Sequence, residues 1–212
     1  MVAGAHGLRP IFGGVHFLAD WPVCYRANLY SRIATRILWR VALASYRNEE
    51  DIYRLALDTP WPKWFVSEQT FRVDVNAVKS PLKSLEFVTL RIKDAICDRF
   101  RRETGKRPSV DTRQPDLRVH GFISKDECIL YLDTSGAPLY QRGLRQKTVD
   151  APIKENLAAG ILRLSGWQPG VALLDPMCGS GTFLLEAAQI ALGVAPGARR
   201  PFAFEQLRHF DL

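Results

Sequence analysis

The sequence predicts an α+β N-terminal part followed by the opening of an α/β domain. Two observations carry this prediction. Alternating strands and amphipathic helices interleave without a repeat through residue 133. From Asp150 the texture changes to a helix, a short apolar run, a glycine turn and a second helix, the order of an α/β unit. At 212 residues the chain amounts to about 1.4 average domains, so one part is expected to be incomplete.

The charge divides at the same place. Residues 151–212 hold five basic and five acidic groups, so residues 1–150 carry 24 − 17 = +7, the whole net charge of the chain. A basic N-terminal part points to a polyanionic partner, RNA or DNA, or else to a basic solvated surface. Hydrophobic residues at 47% and charged residues at 24% exclude a disordered or fibrous chain. No apolar run reaches the ~18 residues of a membrane span, and the first ten residues lack the pattern of a signal peptide, so a cytoplasmic protein without membrane attachment is expected. Cys24, Cys97, Cys128 and Cys178 form no C-x-x-C pair, and the four histidines are scattered, so no metal site is expected.

Taken in order, Gly13 to Phe17 reads as a short strand after a glycine turn, Tyr25 to Ala34 as a helix, and Thr35 to Leu43 as a strand. In the last, Ile37, Trp39, Val41 and Leu43 share one face. Asn48 followed by Glu49, Glu50 and Asp51 is a helix start, a side-chain cap with acids that complement the dipole, and Asp58-Thr59-Pro60 ends the helix. Trp61, Trp64 and Phe65 are read as a packed junction in preference to a base-stacking surface. Thr70 to Val75 alternates with Phe71, Val73 and Val75 inward. Ser84 to Glu103 is the longest helix, with Leu85, Val88, Ile92, Ala95 and Ile96 as its stripe and Gly105 as its stop. Asp116 to Phe122 and Cys128 to Asp133 read as a hairpin. Ala151 to about Ser165 is a helix opened by Pro152. Val171 to Leu174 reads as a buried parallel strand, and Thr182 to Leu192 as the helix after it.

The stretch Asp175-Pro176-Met177-Cys178-Gly179-Ser180-Gly181-Thr182 carries the chemistry. A strand ending in a carboxylate, a Gly-Ser-Gly turn and a helix start form the geometry at which open α/β sheets bind nucleotides. A P-loop would need a lysine before Thr182, and a dinucleotide fingerprint would need a glycine at Leu184, so both phosphate motifs fail. Cys178 has no His or Asp partner in sequence and reads as part of the loop. Glu186 reads as a packing or solvent-facing residue.

This pattern resembles motif I of class I S-adenosylmethionine-dependent methyltransferases. With Arg142 to Arg145, Ala151 to Ala159 and Gly166-Trp167 before it, it is similar to the entry of RNA methyltransferases that carry a THUMP domain, in particular the bacterial 23S rRNA guanine-N2 enzymes. Lys83 to His120 resembles the THUMP helix and following strand. Gly13 to Phe17 and Ser31 to Ile37 resemble the ferredoxin-like subdomain. The resemblance implies a partial ferredoxin-like subdomain over 1–45, a THUMP-like RNA-binding domain over 46–150, and the incomplete start of a Rossmann-like methyltransferase domain over 151–212. It implies S-adenosylmethionine as cofactor, lined by Asp175, Pro176, Cys178, Gly179, Ser180, Gly181 and Thr182, with Pro152, Lys154 and Glu155 alongside. It also implies structured RNA, 23S rRNA, as partner. Arg99, Arg101, Arg102, Lys106, Arg107, Arg142 and Arg145 are the candidate phosphate contacts.

The chain departs from that family in several respects: no convincing second strand, with its terminal acidic residue for the ribose hydroxyls, follows Asp175, and the helix expected before Gly13-Gly14 is missing. The family's catalytic Asn/Asp-Pro-Pro-Tyr/Phe loop has no counterpart, since no Pro-Pro dipeptide occurs. The expectations are therefore that no catalytic residue is present, that the isolated chain is inactive, and that the remaining C-terminal part of the same enzyme is a second partner. The alternative is a stand-alone RNA-binding module that retains a remnant cofactor loop.

Overall fold

Local capping chemistry sets the helix ends where the sequence places them. The Asn48 side chain accepts from the backbone N–H of Glu50 and Asp51, Ser84 accepts from Phe87, and Gly105 takes the left-handed conformation that closes the longest helix. The computed structural model describes residues 4–11, 13–143 and 153–210. In chain order the elements are β1 (His6–Ile11), β2 (Gly14–Leu18), α1 (Trp21–Tyr30), β3 (Leu38–Ser45), α2 (Glu49–Asp58), β4 (Phe71–Ala77), α3 (Leu85–Thr104), β5 (Leu117–Ile123), β6 (Glu127–Asp133), α4 (Glu155–Leu164) and α5 (Thr182–Ala191). None of the described helices is long and apolar enough to cross a membrane.

The chain forms two compact units. One comprises residues 1–37 and 137–202, the other residues 38–136 and 203–212. In the first unit, β1 and β2 form an antiparallel hairpin, Asp20 caps α1, and α4 packs on α5. Backbone and side-chain bonds tie its two chain segments together: Gly197 donates to the Leu29 carbonyl at 2.9 Å, Leu139 to Thr35 at 2.9 Å, and the Asn156 amide to Ile33 at 3.2 Å.

In the second unit, the sheet runs β3-β6-β5-β4, with β4 and β5 parallel and the other pairs antiparallel. The inner face, with Phe71, Val73, Leu117, Val119, Ile123, Cys128, Leu130 and Leu132, is buried together with Val88, Ile92, Ala95, Ile96 and Phe100 of α3. The Trp61 indole donates to the Ala56 carbonyl at 2.6 Å, and Phe65 lies 4.7 Å from Phe100, ring centre to ring centre. This run is a packed junction, as the sequence suggests. Residues 203–210 belong here too: Phe204 donates to the Thr134 carbonyl and Arg208 to that of Trp64, both at 3.0 Å.

Five local expectations change. The first helix runs Trp21–Tyr30 from its Asp20 cap and not from Tyr25 to Ala34, because the capping carboxylate and Pro22 start it earlier and Ser31 ends it. Val171 to Leu174 is not a strand, and Leu174 is 86% exposed; a parallel strand exists only against a neighbour, and none of the described strands lies beside it. In β3 the ladder skips Val41, so the alternation reverses there and Leu43 moves to the outer face. Leu85, at the first turn of α3, is exposed. β1 had no signal, because His6-Gly7-Leu8-Arg9-Pro10-Ile11 is exposed along its whole length and carries no alternation.

Candidate cofactor loop and nucleic-acid interface

The turn from Asp175 to Thr182 is built by short-range bonds. An Asp175 carboxylate oxygen accepts from the Met177 N–H at 3.1 Å, and the Gly181 N–H donates to the Cys178 carbonyl at 2.7 Å. Gly179 and Gly181 have φ of +52° and +72°, a left-handed backbone that side chains resist, and a Cβ at either would meet nothing within 4 Å. The backbone at both glycines thus faces open space. Thr182 is buried at the first turn of α5, and its hydroxyl is 3.2 Å from that of Ser180. The first N–H groups of α5 have no acceptor within the helix. Pro176 and Cys178 lie exposed in the same turn.

A buried charge cluster anchors the helix behind this loop. Glu186, one turn into α5, is fully buried and takes two contacts from Arg142 Nη1, at 2.5 and 2.8 Å. Arg32 Nη1 stands 3.6 Å from the same carboxylate, and the Arg32 guanidinium also donates to the carbonyls of Gln189 and Val194. Arg142 Nη2 in turn donates to the Arg32 carbonyl at 2.9 Å. Burial pushes the Glu186 carboxyl up and the Arg142 guanidinium down, each drawn back partway by the other's charge.

The remaining sequence candidates are placed as follows. Lys154 is exposed at the start of α4, its ammonium 5.1 Å from the Tyr140 ring centre, and Glu155 lies in the first turn of that helix. Pro152 and Arg145 lie outside the described residues. At the C-terminal end of α3, Arg99 pairs with Glu103, Arg101 with Asp98 at 3.2 Å, and Lys106 with Glu68 at 2.8 Å. That last pair raises Lys106 and lowers Glu68 from their ordinary values. Arg102 and Arg107 are exposed at the same end. Arg142 is the exception to the expected phosphate contacts. It is 2% exposed and closed on Glu186, so its charge does not reach the surface. Glu186 and Arg32 were not legible as partners, since 154 positions separate them in the sequence and neither lies in a motif.

Three family models match the chain in succession: the RlmL ferredoxin-like domain over residues 3–38, the THUMP domain over 46–133, and an RMKL-like methyltransferase domain over 142–211. In that order they give the chain a ferredoxin-like domain, a THUMP domain and part of an RMKL-like methyltransferase domain, so it is similar to THUMP-containing methyltransferases. It is 43% identical over 209 residues to the ribosomal RNA large subunit methyltransferase K/L of Psychromonas ingrahamii, a match covering 98% of this chain and 28% of that protein. Among solved structures, it is similar to a predicted N6-adenine-specific DNA methylase from Listeria monocytogenes (33% identity, TM-score 0.84, 94% of this chain and 52% of that one). It is also similar to SMU.472, a methyltransferase-like protein solved in complex with SAH (32% identity, TM-score 0.85, 96% and 54%). The chain spans about a quarter of the curated relative and about half of these structures.

Proposed function

We propose that the chain is the RNA-recognition part and cofactor loop of a cytoplasmic rRNA methyltransferase that transfers the methyl group of S-adenosylmethionine to a guanine N2. The observation that carries this reading is the Asp175–Thr182 turn, with two left-handed glycines over open space at the start of a ten-residue helix. Those residues fit the cofactor. It has no pyrophosphate to clamp, which agrees with the absence of a P-loop lysine. It offers ribose hydroxyls and a zwitterionic methionine group to the Asp175 carboxylate, the Ser180 and Thr182 hydroxyls and the helix N–H groups. When bound, the cofactor supplies an electrophilic methyl on a sulfonium.

In this reading, residues 1–45, 46–150 and 151–212 act as a ferredoxin-like subdomain, a THUMP domain and the start of a methyltransferase domain, and the partner is 23S rRNA. Arg102 and Arg107 lead the phosphate contacts at the α3 end, with Arg99, Arg101 and Lys106 exchanging carboxylate for phosphate partners. The similarity to the K/L enzyme supports the rRNA substrate, and the SAH held by SMU.472 supports the cofactor.

Methyl transfer consists of aligning an amine with the sulfonium carbon, and proximity supplies most of the barrier reduction. The loop that aligns the amine in this family is not among the 212 residues. The purified chain is therefore expected to bind 23S rRNA in a salt-dependent manner and to transfer no labelled methyl group. Incorporation of label into rRNA by this chain alone would contradict the assignment of its catalytic loop to other residues, and salt-independent RNA binding would contradict the phosphate contacts.

A further inference from the structure

The helix that begins at the glycine turn is held by its polar side chains. Thr182, Glu186 and Gln189 fall at i, i+4 and i+7 of α5 and are buried with Ala187, while Leu184 and Leu185 remain 39% and 46% exposed. Burial of leucine therefore does little to orient this helix, and the bonds along its polar stripe take that part. Arg142 Nη1 contacts both carboxylate oxygens of Glu186, one turn in from the loop. Arg32 Nη1 approaches the same carboxylate at 3.6 Å. Arg32 Nη2 donates to the carbonyl of Gln189 at 3.3 Å and to that of Val194, beyond the last turn. Arg142 Nη2 donates to the Arg32 carbonyl at 2.9 Å, which ties the two gripping segments together. One grip thus lies near the loop and the other at the far end of the helix.

We propose that Arg32, Arg142 and Glu186 are positioning residues for the cofactor loop: they fix the rotation and the axial placement of α5, and so the direction in which Thr182 and the N–H groups of its first turn point. The inference rests on the cofactor reading above and adds to it the residues that aim the loop. Apolar packing is non-directional, so a helix held by leucines alone tolerates a turn about its axis. A carboxylate gripped by a guanidinium has a defined geometry, and a second guanidinium on the carbonyls at the helix end sets its position along the axis. Thr182 and Glu186 are four positions apart on one face, so any rotation of the carboxylate carries the threonine with it. A rotation of about 10–20° is enough to spoil a binding constellation. A pair that only stabilised the fold would be replaceable by apolar side chains of equal volume without loss of binding.

The test titrates S-adenosylhomocysteine into the 212-residue chain and three variants by calorimetry, and follows urea unfolding of each. Arg142→Met with Glu186→Leu keeps volume and removes the directional pair. Its stability should approach that of the unsubstituted chain, while its affinity stays about tenfold lower, because apolar contact restores packing and not orientation. Arg32→Met, at a partly exposed side chain, should cost little stability and weaken binding severalfold. Val23→Ala, in the buried side of α1, is the control: it should lower the unfolding midpoint and leave affinity unchanged. Full affinity in the folded double variant, or a loss in Val23→Ala as large as in Arg32→Met, overturns the proposal and leaves the cofactor reading in place. If the double variant does not fold, full affinity in Arg32→Met overturns the proposal in its stead. Absence of binding by the unsubstituted chain overturns both.

Discussion

Arg142 Nη1 holds both carboxylate oxygens of Glu186, at 2.5 and 2.8 Å, in a setting where neither side chain meets solvent. The pair joins the segment at residue 142 to the helix that begins at the glycine turn, and Arg32 adds a second guanidinium. Desolvating three charges is costly, and the geometry offsets that cost only while all partners are present.

Removing one partner should therefore be severe. Glu186→Ala leaves the buried Arg142 guanidinium without its carboxylate, beside the partly exposed guanidinium of Arg32, and is expected to destabilise the chain by about 3–5 kcal/mol. Arg142→Met with Glu186→Leu, which removes the pair and keeps volume, should recover much of that loss. Urea unfolding of the two variants measures the difference; equal destabilisation would contradict the account of the pair.

The glycine turn makes a separate prediction. At φ +72°, Gly181→Ala costs about 1–2 kcal/mol of backbone strain and carries a methyl onto the ligand-facing side of the loop. The expected result is a modest fall in melting temperature together with loss of the thermal shift on adding S-adenosylhomocysteine. A preserved thermal shift would show that the ligand does not sit over the loop.

Much of this was legible in advance, for reasons visible residue by residue. Asn48, Ser84 and Gly105 act through bonds to neighbours within four positions, so spacing alone reveals them. The Asp175–Thr182 turn is also local. Glu186 is the counter-example: 44 positions separate it from Arg142, and a lone glutamate in a helix, read as a packing or solvent-facing residue, gives no sign of a buried ion pair. The Val171–Leu174 run shows the opposite failure. Its composition suits a strand, yet strand formation depends on a partner that local sequence does not carry. Likewise Leu43 alternates correctly on paper, and one skipped ladder position at Val41 turns it to the other face.

The four cysteines should separate cleanly by reactivity. Cys178 is exposed, while Cys24, Cys97 and Cys128 are buried, and burial pushes the thiols of Cys97 and Cys128 up, the latter to about 12. Titration with a thiol reagent at pH 8 should show one fast group per native chain and four after denaturation. Three fast groups in the native chain would contradict the packing of the sheet.

Cys128 also sets a pH dependence. Burial holds its folded thiol above the ordinary value, so its contribution to stability is complete below that ordinary value and is lost as pH rises toward about 12. Cys128→Ala should flatten this part of the alkaline stability curve, at the cost of a small cavity. An unchanged alkaline slope would mean that another group controls it.

Exposed apolar side chains at the end of α4 and in the segment entering the turn should be detectable as such. Leu164, Leu174 and Met177 are 86–90% exposed, far more than a soluble surface usually shows together. Met177→Lys and Leu164→Lys are expected to lower the fluorescence of a hydrophobic dye bound to the native chain without reducing its stability. Loss of stability would show that these side chains are packed.

The most direct test of the central claim is isothermal titration of S-adenosylhomocysteine into the purified chain, with the Gly181→Val variant alongside. The account predicts a single saturable site in the unsubstituted chain and none in the variant. Binding of equal strength in both, or saturable binding in neither, would contradict the assignment of the Asp175–Thr182 turn as the cofactor loop.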